Sequence, residues 1–539
     1  MRGTRTSDPT GVHALRSSRG AARARCAVRM RCRLEPSGPK SLALIRAVRA
    51  VRAALTAATL VLAGCAAGPN FKPPAPPTVD GYVAQQPKTT AATPGVAGGA
   101  AQHFAAGAQI HRDWWTLFHS ARLDALIDAA IAHNPDLQAA RAALQVAEED
   151  ALAQRGAFLP QVAAGFNATH QQASNVLAPV PNYPTVPEQF LYSLFTPQVS
   201  ISYAPDLFGL NRRTMESLQA QAEGARFQMI AAWTTLTSNV VVAAVQEASL
   251  RDQLAATRKL VALEERSVAI LRLRLRKGDA SRLDVAAQRA QLAQVQAGLP
   301  VLVKQLAQAR DALAVLTGRF PDRQPSAAFT LADLTLPQDL PLSLPSQLIA
   351  QRPDVRQARA DLHAASAQIG IAAAERLPNI DLTASAGSTA LAISKVFASG
   401  TGFWGLAASL TAPIFDGGEL RHLERAAKAS YVEAAQEYRG TVLGAFQNVA
   451  DTLAALQQDA RTLQATATEE RATRTTLELT QLQLRRGYVG MFELLNAEQS
   501  YEQARIALVQ AQASRFTDTA ALYEALGGGW WHHKILSER

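Results

Sequence analysis

The chain has 539 residues, 54 Lys and Arg against 44 Asp and Glu, and a formal charge of +10. A hydrophobic content of 48% with 18% charged residues excludes global disorder. The charge is unevenly placed: residues 1–64 carry 13 basic and two acidic side chains, a net of +11, leaving −1 for residues 65–539 and no basic excess there to recruit nucleic acid.

Arg46, Arg49 and Arg52 lead into a 12-residue apolar run, residues 53–64, that ends in small residues at Cys65. A basic start, a short apolar run and a small-residue end make a secretory signal. The run is too short for a spanning helix, which needs about 20 residues. Residues 1–40 are Arg-rich and long for a signal, so the true start is expected nearer the run, at Met30 or close to Val48. Leu62-Ala63-Gly64-Cys65 resembles the bacterial lipobox. That resemblance implies acylation of the Cys65 thiol, cleavage before it and acylation of the new amino terminus. Ala66, in place of aspartate, implies sorting to the outer membrane. An ordinary signal, or a short core helix ending in a free thiol, is the alternative. Only Cys26 and Cys32 join Cys65, so no disulfide framework or zinc knuckle fits downstream.

Residues 69–94 are rich in Pro, Ala and Gly and read as an extended tether; Trp114 and Trp115 follow as packing anchors. Prolines then cluster at 160–205 and 321–378, with none at 206–299 and none at 414–539. Proline breaks helices, so the two proline-free tracts permit very long ones. Leu254, Val261, Val268 and Leu275 recur every seven residues, as do Leu456, Leu463, Leu477 and Leu484 with Glu470 at the missing step. A helix over 211–276 would be about 100 Å long. Several shorter helices are the alternative.

The chain repeats itself. Asn134-Pro135-Asp136-Leu137 with Ala140-Arg141 matches Arg352-Pro353-Asp354-Val355 with Ala358-Arg359, and Leu159-Pro160 matches Leu377-Pro378. LRKGDASRLDV (275–285) matches LRRGYVGMFEL (484–494), and Leu316-Thr317-Gly318 matches Leu526-Gly527-Gly528. Each half reads as a short helix, two extended stretches, a long helix, a sharp Gly turn and a medium helix. The stretches at 161–170, 195–209, 379–390 and 403–418 alternate as strands do, with Ile380, Leu382, Ala384 and Ala386 on one face. Such strands suit a membrane β-barrel, but four cannot close one where eight is about the minimum. An open edge is not permitted in lipid, so chains in a membrane must pool their strands. A small water-soluble hairpin layer is the alternative.

These segments resemble the outer-membrane factors of tripartite efflux pumps, the TolC/OprM-type family and its NodT-like lipoprotein branch. The carrying motifs are Gly68-Pro69-Asn70-Phe71-Lys72-Pro73, WWTLFHSARLDALIDAAIAHNPDLQAARAAL (114–144), SYAPDLFGLNRR (202–213), QRPDVRQARADL (351–362), LPNIDLTAS (377–385) and APIFDGG (412–418). The resemblance implies a mainly α fold with a membrane β-barrel: a homotrimer pooling four strands per chain into one twelve-stranded outer-membrane barrel, continued by long coiled-coil helices as a periplasmic α-barrel. The implied layout is a signal at 1–64, a lipidated N-terminus and tether at 65–112, and a first repeat at 113–318 with strands at about 160–205 and a helical hairpin at about 211–318. A connecting equatorial segment at 319–350 follows. A second repeat spans 351–528, with strands at about 378–415 and a hairpin at about 418–526, before a tail at 529–539.

The expected function is a passive exit duct, docked to a periplasmic adaptor (membrane fusion protein) and an inner-membrane transporter of RND type. No catalytic residue, cofactor, metal or nucleic acid is expected; no G-x-S-x-G, Walker loop or HExxH occurs. Gly278 and Gly487 stand at turns needing positive φ. With Asp284 they are the expected adaptor contacts. The family's aperture carboxylates fall on Glu493 and Asn496, so one acidic ring remains where two are usual. A helix-start glutamate favoured by the macrodipole is the alternative for Glu493. The competing reading of the chain is a periplasmic lipoprotein coiled-coil adaptor or scaffold, which the duplicated strand pairs disfavour.

Overall fold

The computed structural model describes residues 66–174, 189–323 and 330–532. The signal and the lipobox residues Leu62, Ala63, Gly64 and Cys65 lie outside the described residues, as does His533.

The first half holds α1 (Ala121–His133), α2 (Pro135–Gln154), β2 (Gln161–Ser174), β3 (Gln189–Tyr203), α3 (Leu210–Lys277) and α4 (Arg282–Leu316). The second holds α5 (Pro345–Gln351), α6 (Pro353–Ala374), β5 (Asn379–Ser388), β6 (Gly402–Thr411), α7 (Glu419–Arg485) and α8 (Met491–Ala525). Two short strands, β1 (His103–Ala106) and β4 (Asp339–Leu342), pair in parallel. The shared Pro-Asp start of α2 and α6 is capped differently. The Asn134 side chain accepts from Leu137 N at 3.0 Å, whereas Arg352 cannot accept and instead donates to Asp354 and to Ala525 O at 2.9 Å.

Each proline-free tract opens with one unbroken helix, of 68 and 67 residues, each about 100 Å at 1.5 Å per residue. α7 buries Leu453, Leu456, Ala460, Leu463, Ala467 and Glu470 in alternating steps of three and four, the seam that a heptad writes. Glu470, the odd member, pairs with Arg474 at the rim. α4 runs through Pro300, inside the hairpin expected at about 211–318. Pro300 and Gln296, whose carbonyl loses its helix partner, are both exposed, so water satisfies the freed group. α3 has a stretch apolar enough to cross a membrane, but 61% of it is buried inside the protein. It is a core helix, packed on α2, α4, α6 and α8.

The main core collects the aromatics around the middle of the molecule. Trp114 stacks on Tyr523 at 4.9 Å, Trp115 meets Trp233 at 5.8 Å and Phe118 meets Phe516 at 6.2 Å. Trp530, in the segment read as a tail, also belongs here. The chain reverses at Gly527–Gly529, and Trp530 then donates Nε1–H to Gln351 O at 2.6 Å and packs on Phe227.

The remaining strands form one antiparallel sheet in the order β2-β3-β5-β6. β2 and β3 are 14 and 15 residues long, β5 and β6 ten each. Among the described residues, the outer edges of β2 and β6 have no strand partner.

Candidate functional site

The register of the sheet sorts its side chains. One row across it is Val162, Ile201, Ala384, Leu406; the next row on the same face is Ala164, Val199, Ala386, Trp404. Between them, on the opposite face, runs Ala163, Ser200, Ser385, Gly405. The apolar face is bare: Val162 is 67%, Trp404 77% and Leu406 75% exposed. An apolar face four strands wide calls for a non-aqueous neighbour. Apolar-out, small-and-polar-in alternation is that of a membrane barrel wall.

Where strands give way to helices, aspartates take the first helical amides. Asp206 accepts from Asn211 N at 3.1 Å and Arg212 N at 3.0 Å; Asp416 accepts from Gly418 N at 2.8 Å and Leu420 N at 2.9 Å. The N-terminal segment is strapped beside the first of these junctions. Ala67 N donates to Phe208 O at 2.8 Å. Arg213, only 4% exposed, donates to Ala67 O, Gly68 O and the Asn70 side chain. A Cβ on Gly68 would lie 2.4 Å from Gly370 Cα, so only glycine fits this crossing of the strap over α6. Phe71 stacks on His363 at 4.3 Å, and His363 Nε2 lies 2.9 Å from Glu216 Oε1. Lower down, the buried Arg515 of α8 reaches Gly98 O, Ala100 O and Thr90 Oγ1 as well as Leu456 O. The tether expected from composition is thus fastened at two levels. Arg213 closes the motif at 202–213 with no role legible there, and Arg515 has no sequence signal.

At the far end of the long helices the two tips come together. Gly278 (φ +87°) and Gly487 (φ +75°) end α3 and α7 in the left-handed region. In each, the next amide reaches back across the turn: Asp279 N to Arg274 O at 2.9 Å and Tyr488 N to Gln483 O at 3.0 Å. The helices that return differ. α4 starts with a capping box: Asp284 N donates to Ser281 Oγ at 3.1 Å while Ser281 N donates to Asp284 Oδ2 at 2.8 Å. The Ser281 amide, with its hydroxyl, holds the Asp284 carboxyl below its usual range. At the matching place in α8 the cap is Gly490, which has no side chain to offer. Glu493, third residue of its helix like Asp284, is exposed and engaged in no capping bond. Its Oε2 and Arg274 Nη2 both lie against Gly490, at 2.9 and 3.4 Å from where a Cβ would stand. Asn496 follows one turn along the same exposed face. Glu493, Asn496 and Asp284 together line a cleft of about 530 Å³ between the tips, with Arg274, Asp279 and Phe492. Gly278 and Gly487 stay outside it, at the outermost turns.

Comparison with known proteins gives one consistent result. The outer membrane efflux protein family matches residues 126–319 and 344–528. The chain is 31% identical over 417 residues to the pyoverdine export outer membrane protein OpmQ of Pseudomonas putida, covering 77% of this chain and 88% of that one. It is 30% identical over 488 residues to the outer membrane protein OprJ of Pseudomonas aeruginosa, covering 87% and 94%. The open-state crystal structure of the Neisseria gonorrhoeae MtrE outer membrane channel superposes with a TM-score of 0.72 at 27% identity, over 86% of this chain and 98% of that one.

Proposed function

As a member of the outer membrane efflux protein family the chain is an outer-membrane exit channel of an efflux pump, and from that premise we propose how it assembles and engages its partners. Three copies pool their strands into one twelve-stranded barrel. The observation that carries this is the four-stranded sheet with one apolar face and two open edges. Its unpaired amides and carbonyls would be costly in lipid unless a neighbouring copy takes them. Dissolved outer membranes should yield a cross-linkable trimer whose gel mobility shifts on heating; a monomer extracted with inner membranes would overturn the assembly.

Below the barrel, α3, α4, α7 and α8 of three copies enclose the periplasmic tunnel, and the tips are its mouth. There the periplasmic adaptor docks, with Gly278, Asp284 and Gly487 at the contact. An inner-membrane transporter, of RND type, supplies the energy. Three Glu493 side chains, with Asn496 one turn away, ring the aperture and draw cations to it. Support comes from the free state of Glu493 beside a capped Asp284. Cys65 carries the lipid. Several acyl chains give stable anchoring where one does not, and the strap that follows Cys65 is pinned beside the strand-to-helix junction.

A further inference from the structure

β3 runs into α3, and α6 into β5, around a pocket of about 270 Å³. Its apolar lining is Pro205, Leu207, Phe208, Leu210, Leu377 and Pro378. Every residue from Ala204 to Asn211 lines it except Gly209. Gly209 is where the strap packs: a Cβ there would lie 2.8 Å from both Cα and Cβ of Ala66. The Ala67 N–H, bonded to Phe208 O at 2.8 Å, fixes the strap in that position. Cys65 is one residue upstream in sequence, outside the described residues. The described chain therefore begins beside this pocket, one residue after the lipobox cysteine.

We infer that this pocket seats the first stretch of an acyl chain carried by Cys65, an inference that rests on Cys65 being lipidated. The lining sets its apolar side chains beside Asp206, Asn211, Glu375 and Asn379, so an acyl chain would lie along the apolar side of the pocket. The Asp206 carboxylate at the pocket is already taken by the Asn211 and Arg212 amides, which leaves its charge no need of a cationic ligand. The volume falls below the roughly 300–1,000 Å³ that small-molecule sites span, so it admits part of one chain, the rest continuing into the bilayer. The seat would hold the anchor at one bearing around the barrel, beside the β3–β5 pair, where an unseated lipid would wander.

The test feeds growing cells a palmitate analogue bearing a diazirine, then irradiates intact outer membranes and digests the purified full-length channel. The expected product is the Cys65 peptide joined through its own acyl chain to peptides covering 204–211 or 374–379. Free phospholipid carrying the same label gives lipid adducts without that peptide. Leu377→Trp, which fills the pocket, should lower the joined product at least fivefold, whereas Leu406→Trp on the open sheet face should leave it unchanged. Should Leu377→Trp fail to give the heat-modifiable trimer, mapping on the unaltered chain still decides. Labelled Cys65 joined only to other segments, or only to lipid, overturns the seat while leaving lipidation intact. A channel recovered with no acyl group on Cys65 overturns lipidation and the seat together.

Discussion

The two helix tips occupy matching positions in a duplicated chain, yet they use the same acidic position in opposite ways. In the first, Ser281 and Asp284 satisfy each other and close the start of α4. In the second, glycine replaces serine at the cap, and the matching carboxylate of Glu493, on the same cleft as Asp284, is left without a capping bond. A single exchange of a cap residue thus separates a structural acid from an available one. The two halves supply matching hairpins, and the difference at the cap ties one carboxylate into its helix start and leaves the other uncapped.

That contrast can be broken at its most consequential point. In planar bilayers, Glu493→Gln should lower the cation-over-anion permeability ratio by at least twofold, while Asp284→Asn leaves it unchanged. Equal effects of the two would abolish the distinction between the tips. Gly490→Ser should act in the same direction but more weakly. A hydroxyl at the cap offers Glu493 a capping box, drawing it from the cleft without removing its charge. If selectivity stays at the parental value while the α8 start gains protection from hydrogen exchange, the free carboxylate is not what sets it. Ser281→Ala should loosen the start of α4 by about 1 kcal/mol, read as faster exchange over 282–286, with no change in conductance. The smallest effect concerns pH. Asp284 has its carboxyl held below the usual range, so its contribution is present above the unfolded value of 3.8 and lost as pH falls through its folded value. A spin label at Arg282→Cys should become more mobile on acidification from pH 5 to 2.5, and Ser281→Ala should abolish that dependence.

Much of this architecture is legible in the order of the amino acids. Proline breaks helices wherever it falls inside them, so its absence over 206–299 and 414–539 marks α3 and α7. Alternation marks the strands, because side chains on a strand point to opposite faces in turn. Strand ends are less legible: β3 stops at Tyr203 and β6 at Thr411, several residues short, because the aspartates that follow turn the chain into helices. Pro300 is tolerated inside α4 because it is exposed. The packing of Trp530 needs the glycine reversal and a helix face supplied from far upstream. At the tips, the positions of Glu493 and Asp284 are readable from the repeat. Their different states turn on a cap whose partner is one hydroxyl. Arg515 is invisible for a plainer reason: its acceptors in the strap lie 415–425 residues away in sequence.

That last separation bears on how the molecule is made. Among the described residues the strap is synthesised before any of the helices, and α8 is the last long helix to follow. Gln102 donates to Thr519 Oγ1 across 417 residues, and Arg515 reaches Gly98 O across the same span. Neither bond can form until α8 has been made, and contacts of such high order close slowly. The strap therefore leaves the ribosome long before its partners, and the finished middle of the molecule records that α8 was delivered.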